Sequence, residues 1–193
     1  MELVSEAIAF AVKMHDGAHR KNSNLPYILH PLEAAVIIST MTEDQNVIAA
    51  GALHDVVEDT DVTIGEIETR FGRRVRELVA CETEDKREHL PQADTWRVRK
   101  EESLAILEKT NDKDVMMVWL GDKLANMRAI YREWKTEGDA IWQKFNQKNA
   151  AEQAWYYCSI VKLTECLADT LAWNEYKTLT ELVFGKGDCA HEA

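Results

Sequence analysis

Apolar residues recur at helical spacing along almost the whole chain. Val4, Ile8, Ala11 and Val12 set the first stripe, which stops before His15. Residues 16–27 are polar, carry Asn22-Ser23-Asn24 and Pro26, and read as a loop. Leu32 to Ser39 resumes an apolar helix behind Pro31, a residue favoured at a helix start. Thr42 with Gln45, and Thr63 with Glu66, fit the capping box, in which a hydroxyl and a side chain three residues on satisfy free N–H groups. They predict helices near 43–57 and 64–70. Further helices fit Arg73 to about Glu84, Asp94 to Lys109, and from near Asp114 past Ala129, with Asn111-Asp112 as punctuation. Val115 to Leu120 also fits a short buried strand, but its flanks favour helix. Between Asp139 and Trp173 the chain is aromatic in a way that reads as core. No repeat, low-complexity tract or linker intervenes. The expectation is one all-α domain over residues 1–184 and a flexible C-terminal tail at 185–193.

Composition narrows the functional classes. A chain of 193 residues suits one domain with a sizeable core. A hydrophobic fraction of 46% with six Trp excludes disorder, and three Pro with eight Gly argue against a turn-rich β architecture. The balance of 34 Asp+Glu against 23 Lys+Arg, net -11, argues against nucleic acid, whose binding needs a basic face. Glu2 and Glu6 stand where a signal peptide would be basic, and no apolar run approaches the ~18 residues of a membrane span. A cytoplasmic protein with no membrane partner is expected. Cys81, Cys158, Cys166 and Cys189 show no CxxC pair and read as reduced thiols rather than a disulfide framework or zinc site. Oligomeric state has no signal in the sequence.

The chemistry concentrates in Gly51-Ala52-Leu53-His54-Asp55-Val56-Val57-Glu58-Asp59-Thr60. Glu58 lies three residues beyond Asp55 and four beyond His54, and Asp59 lies four beyond Asp55. On a helix these positions share a face. Four ionisable groups then crowd one side of a helix whose earlier turns, Val47 to Leu53, are apolar. Burying such a group is expensive without a compensating cation, and a divalent metal is the natural one. The plainer alternative is a surface helix end with ordinary acids. His30 is pinned between an apolar segment and Pro31, and fits either a metal ligand or a structural histidine. Asp122 follows Val118-Trp119-Leu120 and needs a partner, for which a metal or a lysine would serve.

These residues resemble the H…HD…D signature of the HD superfamily of metal-dependent phosphohydrolases. More narrowly, the chain is similar to the hydrolase domain of the alarmone enzymes and to the stand-alone small alarmone hydrolases. The resemblance runs through His15-Asp16-Gly17-Ala18-His19-Arg20-Lys21, Pro26-Tyr27-Ile28-Leu29-His30-Pro31, His54 to Thr60, and Asp122 to Arg128. It implies a compact multi-helix HD-domain fold and removal of the 3′-pyrophosphate of (p)ppGpp. It implies Mn²⁺, with other divalent metals possible, held by His30, His54, Asp55 and Asp122. It implies Glu58 and Asp59 as the catalytic acidic pair. Arg20, Lys21 and Asn126 become substrate contacts, with Tyr157 or its neighbour Tyr156 at the nucleoside. Lys86 and Arg97 are the cations of the charged 82–102 segment chosen to face phosphates.

The chain departs from the family pattern at Ala18, Trp119, Lys123 and Ala125. None is a proposed metal ligand, but they leave the nucleotide open between guanosine and adenosine. They also leave two other functions: a phosphatase for a nucleoside monophosphate or the NADPH 2′-phosphate, and a nucleotide-binding module without turnover. The leading expectation requires a locally positive pocket, metal included, in an acidic protein.

Overall fold

The computed structural model of the protein describes residues 2–20, 23–87 and 89–186. The helices are α1 (Leu3–Met14), α2 (Leu29–Ser39), α3 (Gln45–Leu53), α4 (Val56–Asp59) and α5 (Ile64–Phe71). They continue with α6 (Arg73–Glu82), α7 (Gln92–Lys109), α8 (Lys113–Glu137), α9 (Ala150–Leu163) and α10 (Leu171–Phe184). Short 3₁₀ turns, Gly138–Lys144 and Glu165–Leu167, flank α9. Among the described residues no strand forms; His19 and Pro26 make an isolated bridge across the α1–α2 loop. The all-α expectation holds. Val115–Leu120 is helix, because it belongs to α8, whose apolar positions are buried on several sides against α2, α3, α6 and α10.

Two glycines let the central helices approach. A Cβ on Gly51 would sit 2.3 Å from Ile38 Cδ1, and one on Gly121 would sit 2.6 Å from Ile38 Cγ1 and 3.1 Å from the Ala34 carbonyl. α2 therefore lies directly against α3 and α8. Gly51 precedes His54 by one turn, Gly121 immediately precedes Asp122, and His30 is on α2. The close packing that these glycines permit is what gathers the candidate ligands.

Two local expectations change. The helix expected over 43–57 is two helices broken at His54-Asp55. The Gly51 carbonyl, which would take the Asp55 N–H in a continuing helix, is 2.8 Å from His54 Nδ1 instead. The helix starts at Gln45 because Asp44, not Thr42, caps it by accepting the Asn46 N–H; Thr42 Oγ1 accepts the Asp44 N–H one turn earlier. The Thr63 cap forms as read, on the Glu66 N–H. Cys81 and Cys166 are free thiols, as expected, and Cys189 lies outside the described residues. Residues 187–193 of the expected tail lie outside the described residues.

Candidate metal centre and phosphohydrolase site

α2, the α3–α4 break and α8 converge on one buried cluster. His30, His54 and Asp122 each offer one ligand atom, all within 4.8 Å of one another. Asp122 Oδ1 lies 2.8 Å from His30 Nε2 and 3.5 Å from His54 Nε2. Asp55 stands at the edge of this trio, with Oδ2 3.1 Å from His54 Nε2 and 3.6 Å from His30 Nε2. The Tyr27 hydroxyl donates to the same oxygen at 2.6 Å.

The donor set fits a divalent ion. His54 Nδ1 donates to the Gly51 carbonyl, which leaves the Nε2 lone pair facing the carboxylates. Nε2 is buried and has no well-directed hydrogen bond. Burial disfavours the His54 cation, yet the nearby Asp55 and Asp122 carboxylates outweigh it and raise its pKa well above the ordinary value. Burial likewise works against the Asp122 anion, but Lys123 and the two histidines hold that carboxyl well below its usual range. The cluster is thus a set of carboxylates waiting on positive charge, which protons or a divalent ion can supply.

Glu58 and Asp59 follow on α4. Glu58 Oε2 accepts the Glu84 N–H at 3.2 Å, Lys86 Nζ lies 3.4 Å from Glu58 Oε1, and Lys86 also bonds Asp59. Burial first, then the Asp55 charge, raises the Glu58 pKa; Lys86 opposes them. A cleft of about 520 Å³ opens beside Glu58, lined by Val57, Thr83, Glu84, Lys86 and Arg87 among others. Arg20 bonds Asn126 Oδ1 at 3.3 Å, and Asn126 donates to Asp122 Oδ1 at 2.7 Å. Arg20 therefore reaches the cluster through a neutral partner. Lys21 lies outside the described residues.

The other proposed contacts divide. Tyr157 is buried on α9; burial pushes its hydroxyl up to about 12, and it feels the charges of Lys123, Asp122 and Arg20. Tyr156 lies instead beneath Lys100, 4.8 Å from the ring centre. The structure does not bring Arg97 to the cluster. Its guanidinium bonds Glu101 and Glu152, both at 2.8 Å, and stacks 3.4 Å from the centre of the Trp155 ring.

Sequence reasoning gave no role to Tyr27, Glu82 or Glu84, and none to Lys123 beyond marking it as a family departure. Lys123 bonds both Asp122 and Glu82. Glu84 accepts from Arg99 at 3.0 Å and Ser103 at 3.0 Å, and from Lys100. The need of Asp122 for a partner was a signal for Lys123; nothing local pointed to Glu82, 40 residues away. The acids of the pocket are matched by cations, Lys86 for Glu58 and Asp59 and Lys123 for Asp122 and Glu82, so the surroundings are not uniformly negative.

Comparison with known proteins identifies relatives of the chain. A family model described as HD domain matches residues 7–151. The chain is 39% identical over 133 residues to the Xenopus tropicalis protein named guanosine-3′,5′-bis(diphosphate) 3′-pyrophosphohydrolase MESH1, covering 67% of this chain and 70% of that protein. It is 35% identical over 136 residues to an Aquifex aeolicus guanosine-3′,5′-bis(diphosphate) 3′-pyrophosphohydrolase, covering 69% of this chain but 19% of that longer protein. The chain thus spans less than a fifth of the long curated relatives it matches. The crystal structure of lmo0812 from Listeria monocytogenes superposes with a TM-score of 0.70 at 29% identity, over 81% of this chain and 99% of that one. A structure described as a metazoan ortholog of SpoT that hydrolyzes ppGpp gives 0.73 at 23% identity, over 94% and 96%, a likeness of fold. With three quarters of its length inside the family model and the ligand cluster formed from the matched segments, the chain belongs to the HD domain family.

Proposed function

We propose that residues 1–184 form a cytoplasmic, manganese-dependent pyrophosphohydrolase that removes the 3′-pyrophosphate of ppGpp, pppGpp or a related alarmone, adenosine forms included. The observation that carries the reading is the buried His30–His54–Asp122 trio with Asp55 at its edge and the Glu58-Asp59 pair one turn beyond. The names of relatives matched over about two thirds of this chain support the substrate class. Mixed imidazole and carboxylate donors suit Mn²⁺.

A divalent ion bound there supplies Lewis-acid polarisation of a phosphoryl oxygen and acidification of water. The rest falls to the chain's own groups. Glu58, half-buried and raised in pKa, takes the proton of the attacking water. The Glu84 N–H and Lys86 fix the direction of its two oxygens. Asp59 shares Lys86, so the pair is held as a unit. Arg20 exchanges its long bond to Asn126 for phosphate oxygens, which guanidinium can grip in two places. Lys21 joins it, and Tyr157 flanks the nucleoside.

The test is to incubate metal-loaded protein with ppGpp and resolve the products by anion exchange. Guanosine diphosphate and pyrophosphate are expected. Bound metal without pyrophosphate release overturns the reading. Orthophosphate released from a nucleoside monophosphate or from NADPH would select the phosphatase alternative, for which Trp119 and Ala125 are the residues in question.

A further inference from the structure

Asp122 presents its two oxygens to different partners. Oδ1 faces both imidazoles and accepts the Asn126 side chain. Oδ2 is taken by the Lys123 ammonium. That ammonium also donates to Glu82 Oε1 at 2.7 Å. Glu82, on the last turn of α6, is 6% exposed, and its Oε2 has no partner among the described residues. Lys123 is itself 9% exposed, with its amine 5.0 Å from the centre of the Trp119 ring. Withdrawing Lys123 from Asp122 would cost a buried ammonium one of its two carboxylate partners, and removing it would leave Glu82 without its cation. The second oxygen of Asp122 is therefore committed.

We propose that Lys123, anchored by Glu82, determines metal specificity by restricting Asp122 to one ligand oxygen, and so selects small first-row divalent ions over calcium. Calcium gathers six to eight oxygen ligands and commonly takes carboxylates through both oxygens. First-row ions accept a compact set of imidazole nitrogens and single carboxylate oxygens. The two histidines already disfavour calcium, and Lys123 adds a separate factor. Its positive charge repels every divalent ion alike, so that effect cancels in a ratio of affinities, whereas the blocked oxygen does not.

The inference rests on the metal reading of this site, and its test reads binding rather than turnover. Metal-free full-length protein is titrated calorimetrically with Mn²⁺ and with Ca²⁺, and the ratio of the two Kd values is compared between variants. Lys123→Met is expected to lower the calcium-to-manganese Kd ratio by about tenfold. Lys123→Arg, which still covers Oδ2, is expected to restore it. A ratio unmoved, within about twofold, in a folded Lys123→Met protein overturns the inference. If that variant does not fold, the Glu82→Gln/Lys123→Met protein removes the stranded carboxylate and carries the same expectation and the same refutation. Wild-type protein that binds neither ion overturns the metal reading itself; wild-type manganese binding with an unmoved ratio overturns the inference alone.

Discussion

The metal cluster and the 83–102 segment hold similar densities of charge and use them in opposite ways. In the cluster, two imidazoles and two carboxylates from separate parts of the chain face one another, and Lys123 sits behind Asp122 rather than among them. In the segment, cations close on acids: Arg87 on Glu102, Arg97 on Glu101 and Glu152, Arg99 and Lys100 on Glu84. The first region is electrostatically incomplete and invites a cation. The second pairs these cations with acids and so ties the α6–α7 connection together. Lys86 belongs to both, since it sits in the segment and closes on Glu58 and Asp59 beside the cluster. A charged run therefore does not mark a binding surface; charge left without a partner does.

Substitutions can break this contrast, beginning inside the cluster. His54→Ala or Asp122→Ala removes a buried ligand, and each is expected to lose bound metal and at least about a thousandfold in turnover. Elemental analysis of the purified variants checks the first part. Full metal occupancy in either would contradict the ligand set.

Glu58→Gln comes next. It should keep its metal and its melting temperature, and lose about a hundredfold to ten-thousandfold in kcat. Steady-state kinetics beside metal content separates this residue from the ligands.

Lys86→Met tests the residue that bridges the two regions, with an expected loss of about tenfold in kcat/KM. The sign of its pH effect is more informative. Lys86 lowers a Glu58 pKa that burial and Asp55 raise. Without it the pKa climbs further, and a general base must be deprotonated to act. The acid limb of the kcat/KM profile should then move to higher pH. An unmoved limb would mean that Lys86 serves phosphate binding alone.

Arg97→Ala should matter least. Its guanidinium is engaged by two glutamates and an indole. The expected cost is about 1 kcal/mol of stability, read by denaturant unfolding, with KM changed by less than about threefold. A large rise in KM would return Arg97 to the substrate site.

The same contrast separates what was legible in the sequence from what was not. The helical elements were readable because apolar spacing and caps such as Thr63 are local. The crowding of His54, Asp55, Glu58 and Asp59 was readable because three- and four-residue spacings share a face even across the break at His54. That His30 and Asp122 join them was implied by resemblance, and Gly51 and Gly121 supply the physical reason, through contacts that only the packed helices reveal. Partner choice among charges was not readable. Lys86, Arg97 and Lys100 look alike along the chain, and their assignments to Asp59, Glu152 and Glu84 depend on separations of 16 to 55 residues. The Glu82–Lys123 pair was missed for the same reason, since its members lie 41 residues apart.

The central claim is that water attacks the phosphorus of the 3′-pyrophosphate under the guidance of Glu58. It is tested most directly by turnover of ppGpp in oxygen-18 water with manganese-loaded protein, followed by mass spectrometry of the products. The account predicts the heavy oxygen in pyrophosphate and none in guanosine diphosphate. Label in the nucleotide, or orthophosphate in place of pyrophosphate, would contradict it.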